Sequence, residues 1–407
     1  MYEEMNIIYL TSACSQFRFD KLVSEGKIKK MPQAQKYHHL MLEGLRSVTD
    51  DSITVISSYP IVNPSQKLFY TESEDENNIK YLYPGFINYP FLRQLSLWVN
   101  TILLILKNSK QRDTVFVCDV LNKSIFYSAK IVRVLKGFKI VGIVTDVPGM
   151  TSGARAKLLP WWKRAVGKMA VNLSKGAVKT CNAYLLLTEA MNFVVNPNRK
   201  PYIVIEGHSD ITMRERENRI ENKTTEKVMM YAGGTHKEFG IAMLVDAFLD
   251  LKNPEWQLHI YGDGNYQNEL KRISSEQRNV VYYGMKPNAE VVNAQIKAWL
   301  LVNPRITNAE YVKYSFPSKT LECMVSGTPL LTTRLAGMPK DYYPYVYLFD
   351  EETKEGFKNV LKEIFTYSTE DLHAKGMKAK DFALSQKNNV TQAGKFYTFI
   401  KSVVYDN

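Results

Sequence analysis

The run Tyr314-Ser315-Phe316-Pro317-Ser318-Lys319-Thr320-Leu321-Glu322-Cys323-Met324-Val325-Ser326-Gly327-Thr328-Pro329, with Leu300-Leu301-Val302-Asn303-Pro304-Arg305 before it and Leu330-Leu331 after it, reads as strand, loop, helix and strand. Leu300 to Asn303 is a short apolar run fit for a buried strand, and Pro304 ends it. Ser315 is placed to cap a helix, because Pro317 then falls in the first turn, where its missing N–H costs nothing. That turn, Phe316-Pro317-Ser318, presents free backbone N–H groups and the positive end of the helix dipole, and Lys319 adds a full charge. An anion such as a diphosphate would be held there. Glu322 lies one turn on, where a carboxylate can accept two sugar hydroxyls, as the acidic residue of a dinucleotide fold does for ribose. Gly327-Thr328-Pro329 stops the helix. A helix start carrying an incidental Lys and Glu is the plain alternative.

On these residues the chain resembles the nucleotide-sugar-binding segment of retaining glycosyltransferases of GT-B fold, of the family 4 type that includes bacterial exopolysaccharide and capsule enzymes. In that family the segment carries two glutamates eight positions apart. The second, which bonds the nucleotide ribose, corresponds to Glu322; the first, which faces the transferred sugar, corresponds to Tyr314. The sequence thus departs from the family pattern at one of its two signature acids, which bears on donor-sugar recognition more than on fold.

At 407 residues the chain suits two domains of roughly 200 residues each. Apolar residues make up 45% and charged ones 23%, as in an ordinary folded protein. Cys14, Cys118, Cys181 and Cys323 lie far apart with no Cys-x-x-Cys or His spacing, so structural zinc and a disulfide framework are not expected and a reducing compartment is. Met1-Tyr2-Glu3-Glu4-Met5 is acidic and leads into a strand, so no signal peptide is read; no apolar run reaches the ~18–20 residues of a membrane span. The expected location is cytoplasmic. A net charge of +12 and a pI near 9.2 call for a polyanionic partner or simply a basic, solvated surface. No helix-turn-helix, RNA-recognition or basic-zipper pattern is present, so nucleic acid is not expected as a partner.

Asn6 to Leu10 reads as a strand, and the small residues 11–15, Ser12 among them, form a loop at the carboxyl edge of an α/β sheet, where ligands bind. Residues 33–45 form an amphipathic helix whose start resembles the acceptor-side helix of the family; His38 and His39 either touch an acceptor or are ordinary surface histidines. Strands follow at 53–56 and 80–83, separated by an acidic, solvated loop at 72–76. The apolar stretch after Pro90 reads as a domain-core helix, with a membrane-facing one as second choice. Residues 114–119 and 139–146 are buried parallel strands. Asp146 ends the second of them, where it could take an acceptor's proton or cap the next helix.

Residues 157–179 contain Trp161, Trp162 and six Lys or Arg with no acid, the pattern an interfacial helix offers to anionic headgroups; the alternative is a core helix with its lysines outside. The charged residues 214–226 read as the interdomain linker. The second half opens with a strand, the Gly233-Gly234 turn and a helix, and the glycines allow close backbone approach to a phosphate or ribose. In the family this turn carries an Arg and a Lys that neutralise the donor diphosphate. Aligned on Gly240, those positions hold Gly234 and Phe239, leaving His236, Lys237 and, best defined, Lys319 as substitutes. Gly262 and Met285 follow further strands, at turns the family places beneath and beside the base.

The expected architecture is therefore α/β, with two facing Rossmann-like domains, a deep cleft and about six strands in each half. Residues 1–215 would bind the acceptor and 216–385 the nucleotide sugar, with a last helix over 386–407 crossing back to the first domain. The resemblance implies glycosyl transfer from a nucleotide sugar, a UDP-sugar for example, with retention and without a metal or other cofactor. It assigns donor binding to residues 314–320 (Tyr314, Ser315, Phe316, Pro317, Ser318, Lys319 and Thr320) and Glu322, with Lys319 and the helix start meeting the departing diphosphate and Asp146 on the acceptor side. A lipid-linked glycan at the cytoplasmic membrane face is the expected acceptor. A catalytically inactive GT-B protein is the alternative; an oxidoreductase would need a Gly-x-Gly-x-x-Gly turn, and residues 11–15 contain no glycine.

Overall fold

The computed structural model describes residues 4–27, 32–58, 66–109, 113–148, 160–308 and 310–405. The chain divides into one unit made of Met1–His208 with Asn389–Asn407, and another made of Ser209–Asn388.

In the first unit, β1 (Asn6–Thr11), β2 (Ser52–Ser57), β4 (Glu72–Glu76), β5 (Ile79–Tyr83), β7 (Thr114–Asp119), β8 (Lys139–Val144), β9 (Ala183–Leu186) and β10 (Tyr202–Val204) form one sheet in the order β10-β9-β8-β7-β1-β2-β5-β4. All neighbours are parallel except β4 and β5. Every residue of β1, β7 and β9 is buried, which explains their near-continuous apolar sequence. A separate two-stranded ribbon pairs β3 (Leu68–Phe69) with β6 (Phe86–Ile87). This sheet is larger than the six strands expected.

Residues 72–76 are strand β4, not a solvated loop, because their carboxylates have partners on the neighbouring helix, Gln16–Ser24. Glu76 accepts the first amides of that helix, Gln16 N at 3.0 Å and Phe17 N at 3.1 Å, while Glu72 and Glu74 grip Arg18 at 2.6 and 3.1 Å. The helix after Pro90, Leu92–Asn108, is not a core helix: Thr101 and Ile105 are its buried residues, while Leu92, Leu95, Val99 and Leu103 face solvent.

The helix Asn389–Tyr405 completes this unit. It lies against Pro32–Val48, burying Phe396, Ile400 and Val403 with Met41, Leu42 and Leu45. Gly44 permits the close crossing, since a Cβ there would stand 2.3 Å from the Asn389 carbonyl oxygen and 2.7 Å from the Ala393 Cβ.

The second unit is a wholly parallel six-stranded sheet of β11 (Lys227–Ala232), β12 (Trp256–Tyr261), β13 (Val280–Gly284), β14 (Leu300–Asn303), β15 (Leu330–Thr332) and β16 (Tyr347–Leu348), in the order β13-β12-β11-β14-β15-β16. The strand order reverses between β11 and β14, and in open α/β sheets ligands bind at the carboxyl ends beside such a switch. Residues 214–226 are not an open linker: they lie within this unit, form short 3-10 turns at Ile211–Glu215 and Ile220–Asn222, and bury Asn218, whose Nδ2 donates to the Ser326 carbonyl at 2.7 Å.

Candidate functional site

At the switch point three backbone segments are pressed together where side chains have been left out. The turn after β11 (residues 233–240) meets the turn after β12 through Gly262, whose φ is 119° and whose Cβ would stand 1.9 Å from the Gly233 carbonyl oxygen. It meets the loop after β14 through Gly240, at φ 83°, where a Cβ would stand 2.0 Å from the Pro304 carbonyl oxygen. Hydrogen bonds lock the set: Thr235 N to Asp263 O at 2.8 Å, Tyr231 Oη to Gly234 O at 2.8 Å, and Tyr282 Oη to Gly262 O at 2.8 Å. Burial pushes the Tyr231 phenol up to about 12, against the opposing pull of Arg305.

The Arg305 guanidinium lies over the Phe239 ring, 4.7 Å from its centroid. The same ring fills the space a side chain on Gly234 would enter, since a Cβ there would be 3.2 Å from His236 Cδ2 and 3.3 Å from Phe239 Cε2. His236 packs edge-on against Phe239 and lies 4.0 Å from Glu238, and Lys237 rests its exposed ammonium over Tyr266 at 5.5 Å. Arg305 has no part in the sequence-based assignment. The signal available was its position, one residue past the Pro304 that ends β14.

Between β14 and the following helix the chain makes a 3-10 turn, Glu310–Tyr314. The helix itself is Ser318–Val325 and begins two residues later than expected. Pro317, not Ser315, is the cap residue, at an extended φ of −75° and ψ of 110°, and Ser315 Oγ donates to the Val312 carbonyl at 3.4 Å instead of capping. Phe316 is the reason: its ring is drawn into the core with Val312, Leu321 and Tyr342, 5.4 Å from the Tyr342 centroid, so the residues around it stay non-helical. Ser318 is exposed, and Tyr314, Ser315 and Pro317 are half-buried. Lys319 Nζ stands 3.1 Å from Glu322 Oε2, with 40% of the lysine side chain exposed. Burial pulls the ammonium's pKa down, but the Glu322 carboxylate outweighs it and the net shift is upward. Two buried polar atoms beside the helix start, Thr320 Oγ1 and Asn303 Nδ2, have no hydrogen-bond partner among the described residues. Such atoms mark a place that water or a ligand completes. Met285, 67% exposed, follows β13 beside Tyr283, whose ring stacks on Tyr261 at 4.5 Å.

In the first unit the residues proposed for an acceptor are more dispersed. Ser12 is half-buried in the loop after β1. His38 is not a surface histidine: it is 1% exposed, with Nδ1 2.8 Å from Tyr9 Oη and Nε2 3.5 Å from Asp119 Oδ2. His39 pairs with Glu43 at 3.2 Å on its own helix. Asp146 accepts the Val147 amide at 2.9 Å, and the residues that would show whether it caps a helix, 149–159, lie outside the described residues. Asp119, which ends β7 as Asp146 follows β8, went unassigned in the sequence. The basic segment forms the helix Trp161–Val178; residues 157–159 and the side chains of Trp161 and Trp162 lie outside what is described. Arg164, Lys168 and Lys175 are exposed on it beside Met169 and Leu173. Among the described residues no group of three or more His, Cys, Asp or Glu could hold a metal ion, and no helix is long and apolar enough to cross a membrane.

Residues 226–366, most of the second unit, match the family model described as Glycosyl transferases group 1. The whole chain is similar in structure to the sucrose-phosphate synthase of Thermosynechococcus elongatus (TM-score 0.64, 13% identity, covering 98% of this chain and 99% of that one). It is similar to Anabaena HepE in complex with UDP and glucose (0.61, 14%, 98% and 99%) and to a glycosyltransferase from Rickettsia africae (0.66, 11%, 100% and 100%). No curated protein matches the sequence.

Proposed function

We propose that this chain, which has the GT-B fold and carries a group 1 glycosyltransferase domain over residues 226–366, transfers a hexosyl group from a nucleotide sugar to a glycan acceptor. One observation carries the reading: the glycine-enabled close approach of the 233–240 turn to the 262–264 turn and to Pro304 at the switch point, in a unit whose Ser318–Val325 helix pairs Lys319 with Glu322. Glu322 takes the ribose hydroxyls. The diphosphate is met by the amides of Ser318 and Lys319, the Lys319 ammonium and the Arg305 guanidinium. In the transfer the bond from the anomeric carbon to the diphosphate oxygen breaks, a bond to the acceptor hydroxyl oxygen forms, and the acceptor's proton leaves. The charge that grows is on the diphosphate, and preorganised donors stabilise it there.

Arg305 resolves the departure at the Gly-Gly turn. The resembled family holds an Arg where Gly234 stands and a Lys where Phe239 stands. Here the aromatic residue serves as a platform, and the positive charge arrives on it from the neighbouring loop. A planar guanidinium suits two phosphate oxygens at once. UDP is the preferred nucleotide, because HepE, a structural neighbour, has been solved with UDP and with UDP-glucose. Retention of configuration, Asp146 as proton acceptor, acceptor contacts at Ser12, His38 or His39, and a lipid-linked acceptor at the cytoplasmic face of an anionic membrane complete the proposal, the helix Trp161–Val178 supplying basic membrane contact.

The test is calorimetric titration against UDP-, GDP-, ADP- and TDP-sugars, followed by turnover with the donor that binds. Saturable binding of one donor, lost in Glu322→Ala, with product formed on adding acceptor, is the expected result. Binding without hydrolysis or transfer would favour a non-catalytic GT-B protein, which Tyr314 in place of an acid makes the specific second reading.

A further inference from the structure

The first unit carries an apolar face to which the proposed transfer assigns no residue. Leu92, Leu95, Val99 and Leu103, spaced three and four apart along Leu92–Asn108, form one exposed helical stripe. The β3–β6 ribbon runs beside it and exposes Leu68 and Ile87, and the two elements enclose an open groove of about 530 Å³. The groove is a fixed shape. Asn100 Nδ2 donates to the Gly85 carbonyl at 2.6 Å, the Ile87 amide donates to Ser96 Oγ at 2.9 Å, and Phe69 stacks on Phe86 at 4.4 Å.

At the end of the stripe stands Phe91, 94% exposed and held at φ 65° and ψ −45° by the Leu92 amide, which donates to the Pro90 carbonyl at 2.8 Å, a positive-φ turn that a bulky residue adopts only under constraint. A phenylalanine held in such a backbone and pointed into water is unfavourable on both counts unless something receives it. Tyr89, close to Phe91, and Tyr70, on the groove's lining, are also exposed, with rings that tolerate an interface between water and hydrocarbon.

The charge around the groove selects the occupant. The helix Leu92–Asn108 contains no acidic residue. Arg93 lies over the Phe86 ring at 5.0 Å and Lys67 over the Tyr89 ring at 5.8 Å, so both cations sit at the rim, and Lys107 is exposed further along. Of the acids on β4, Glu72 and Glu74 are engaged by Arg18 and Glu76 by the Gln16 and Phe17 amides, which leaves Asp75 exposed, and Asp113, beyond the far end of the helix, accepts from Tyr405. A second copy of this chain would bring two cationic rims together in a protein of net charge +12. An anionic bilayer offers hydrocarbon to the stripe and phosphates to the rim. We propose that Phe91 and the Leu92–Leu103 stripe form a membrane-docking face that inserts into an anionic lipid surface, with Lys67 and Arg93 on its headgroups. The inference stands independently of the donor site and adds a second, hydrophobic contact to the basic one proposed for Trp161–Val178.

The experiment is flotation of the full chain with phosphatidylcholine vesicles, with and without phosphatidylglycerol, for wild type, Phe91→Ser/Leu95→Ser, Lys67→Glu/Arg93→Glu and Lys168→Glu/Lys175→Glu. Wild type is expected to float with the anionic vesicles alone. The Phe91/Leu95 variant should lose about tenfold or more in partitioning, and the Lys67/Arg93 variant should bind weakly and lose the preference for phosphatidylglycerol. All variants should keep the wild-type melting temperature and donor affinity. Unchanged flotation of the Phe91/Leu95 variant overturns the proposal, as does loss confined to the Lys168/Lys175 variant. Sedimentation without vesicles covers the other occupant: a wild-type dimer that Phe91→Ser/Leu95→Ser converts to monomer would assign the groove to a second copy. Vesicle binding with no donor binding would leave this face standing while the glycosyltransferase reading fell.

Discussion

Lys319 and Glu322, one turn apart at the start of the Ser318–Val325 helix, are bound to each other at 3.1 Å. The two residues assigned to the diphosphate and the ribose therefore hold each other in place before a donor arrives. Replacing Glu322 by Ala removes the proposed ribose acceptor and the counter-charge together, leaving burial as the largest influence on the Lys319 ammonium. Donor affinity should fall by about 2–3 kcal/mol, as for loss of charged hydrogen bonds, and Lys319→Met should lose a similar amount; calorimetry measures both. Because the Lys319 pKa is raised, its charge is present at all pH values below the ordinary lysine value of 10.5 and is lost only above it. Donor affinity at neutral pH should not titrate with this group.

Arg305→Ala should weaken donor binding by about 1.5–3 kcal/mol, and Arg305→Lys should recover only part, since an ammonium lacks the planar fork. Phe239→Leu, which keeps the cation but removes its aromatic support, should lose about 0.5–1 kcal/mol. If Arg305→Ala binds UDP-sugar like wild type, the charge exchange between the two loops is wrong.

Gly240→Ala should be severe for its size. The residue sits at φ 83° and its Cβ would meet the Pro304 carbonyl oxygen at 2.0 Å. Left-handed backbone alone costs about 1–2 kcal/mol for an L-residue, and the clash pushes the Pro304-Arg305 segment away. Urea denaturation should show the stability loss, and titration should show a larger loss of donor affinity than Gly167→Ala, where a Cβ meets nothing within 4 Å.

His208 should give the first unit an acid-sensitive stability. Its Nε2 donates to the Tyr37 carbonyl at 2.8 Å, Nδ1 has no hydrogen-bond partner among the described residues, and burial lowers its pKa from 6.5 to about 4. A lowered pKa means the unfolded chain takes up the proton first. The stability is fully present above pH 6.5 and is lost as pH falls toward 4, by up to about 3 kcal/mol. Thermal melts from pH 7 to pH 4.5 should show this decline, and His208→Gln should flatten it.

The second unit was the more legible half because its strands, its glycine turns and the helix from Ser318 are each read from a short run of sequence. The helix from Ser318, the glycines at 233, 234, 240 and 262, and the strands that carry them are all local patterns. What escaped was whatever depended on distant partners. Ser315 looked like a cap until Phe316 was drawn towards Tyr342, and Arg305 gained its place only because Gly240 lets Pro304 approach. The acids of β4 read as solvated because Arg18 lies more than fifty residues before them. His38 read as a surface residue because Tyr9 and Asp119, its partners, come from two other strands. The stripe at Leu92, Leu95, Val99 and Leu103 has the periodicity of a buried face, and periodicity does not say which side of a helix faces water.

The helix Asn389–Tyr405 belongs to the unit that begins the chain, and Gly44 on Pro32–Val48 is shaped to receive it. On a ribosome this imposes an order of events. The first 208 residues emerge without Phe396, Ile400 and Val403, so Met41, Leu42 and Leu45 stay uncovered while the second unit, continuous in sequence, is made and can fold. The sheet that is translated first is thus sealed last, and a chain cut short ahead of residue 389 would keep the unit Ser209–Asn388 whole and leave the other with an open seam.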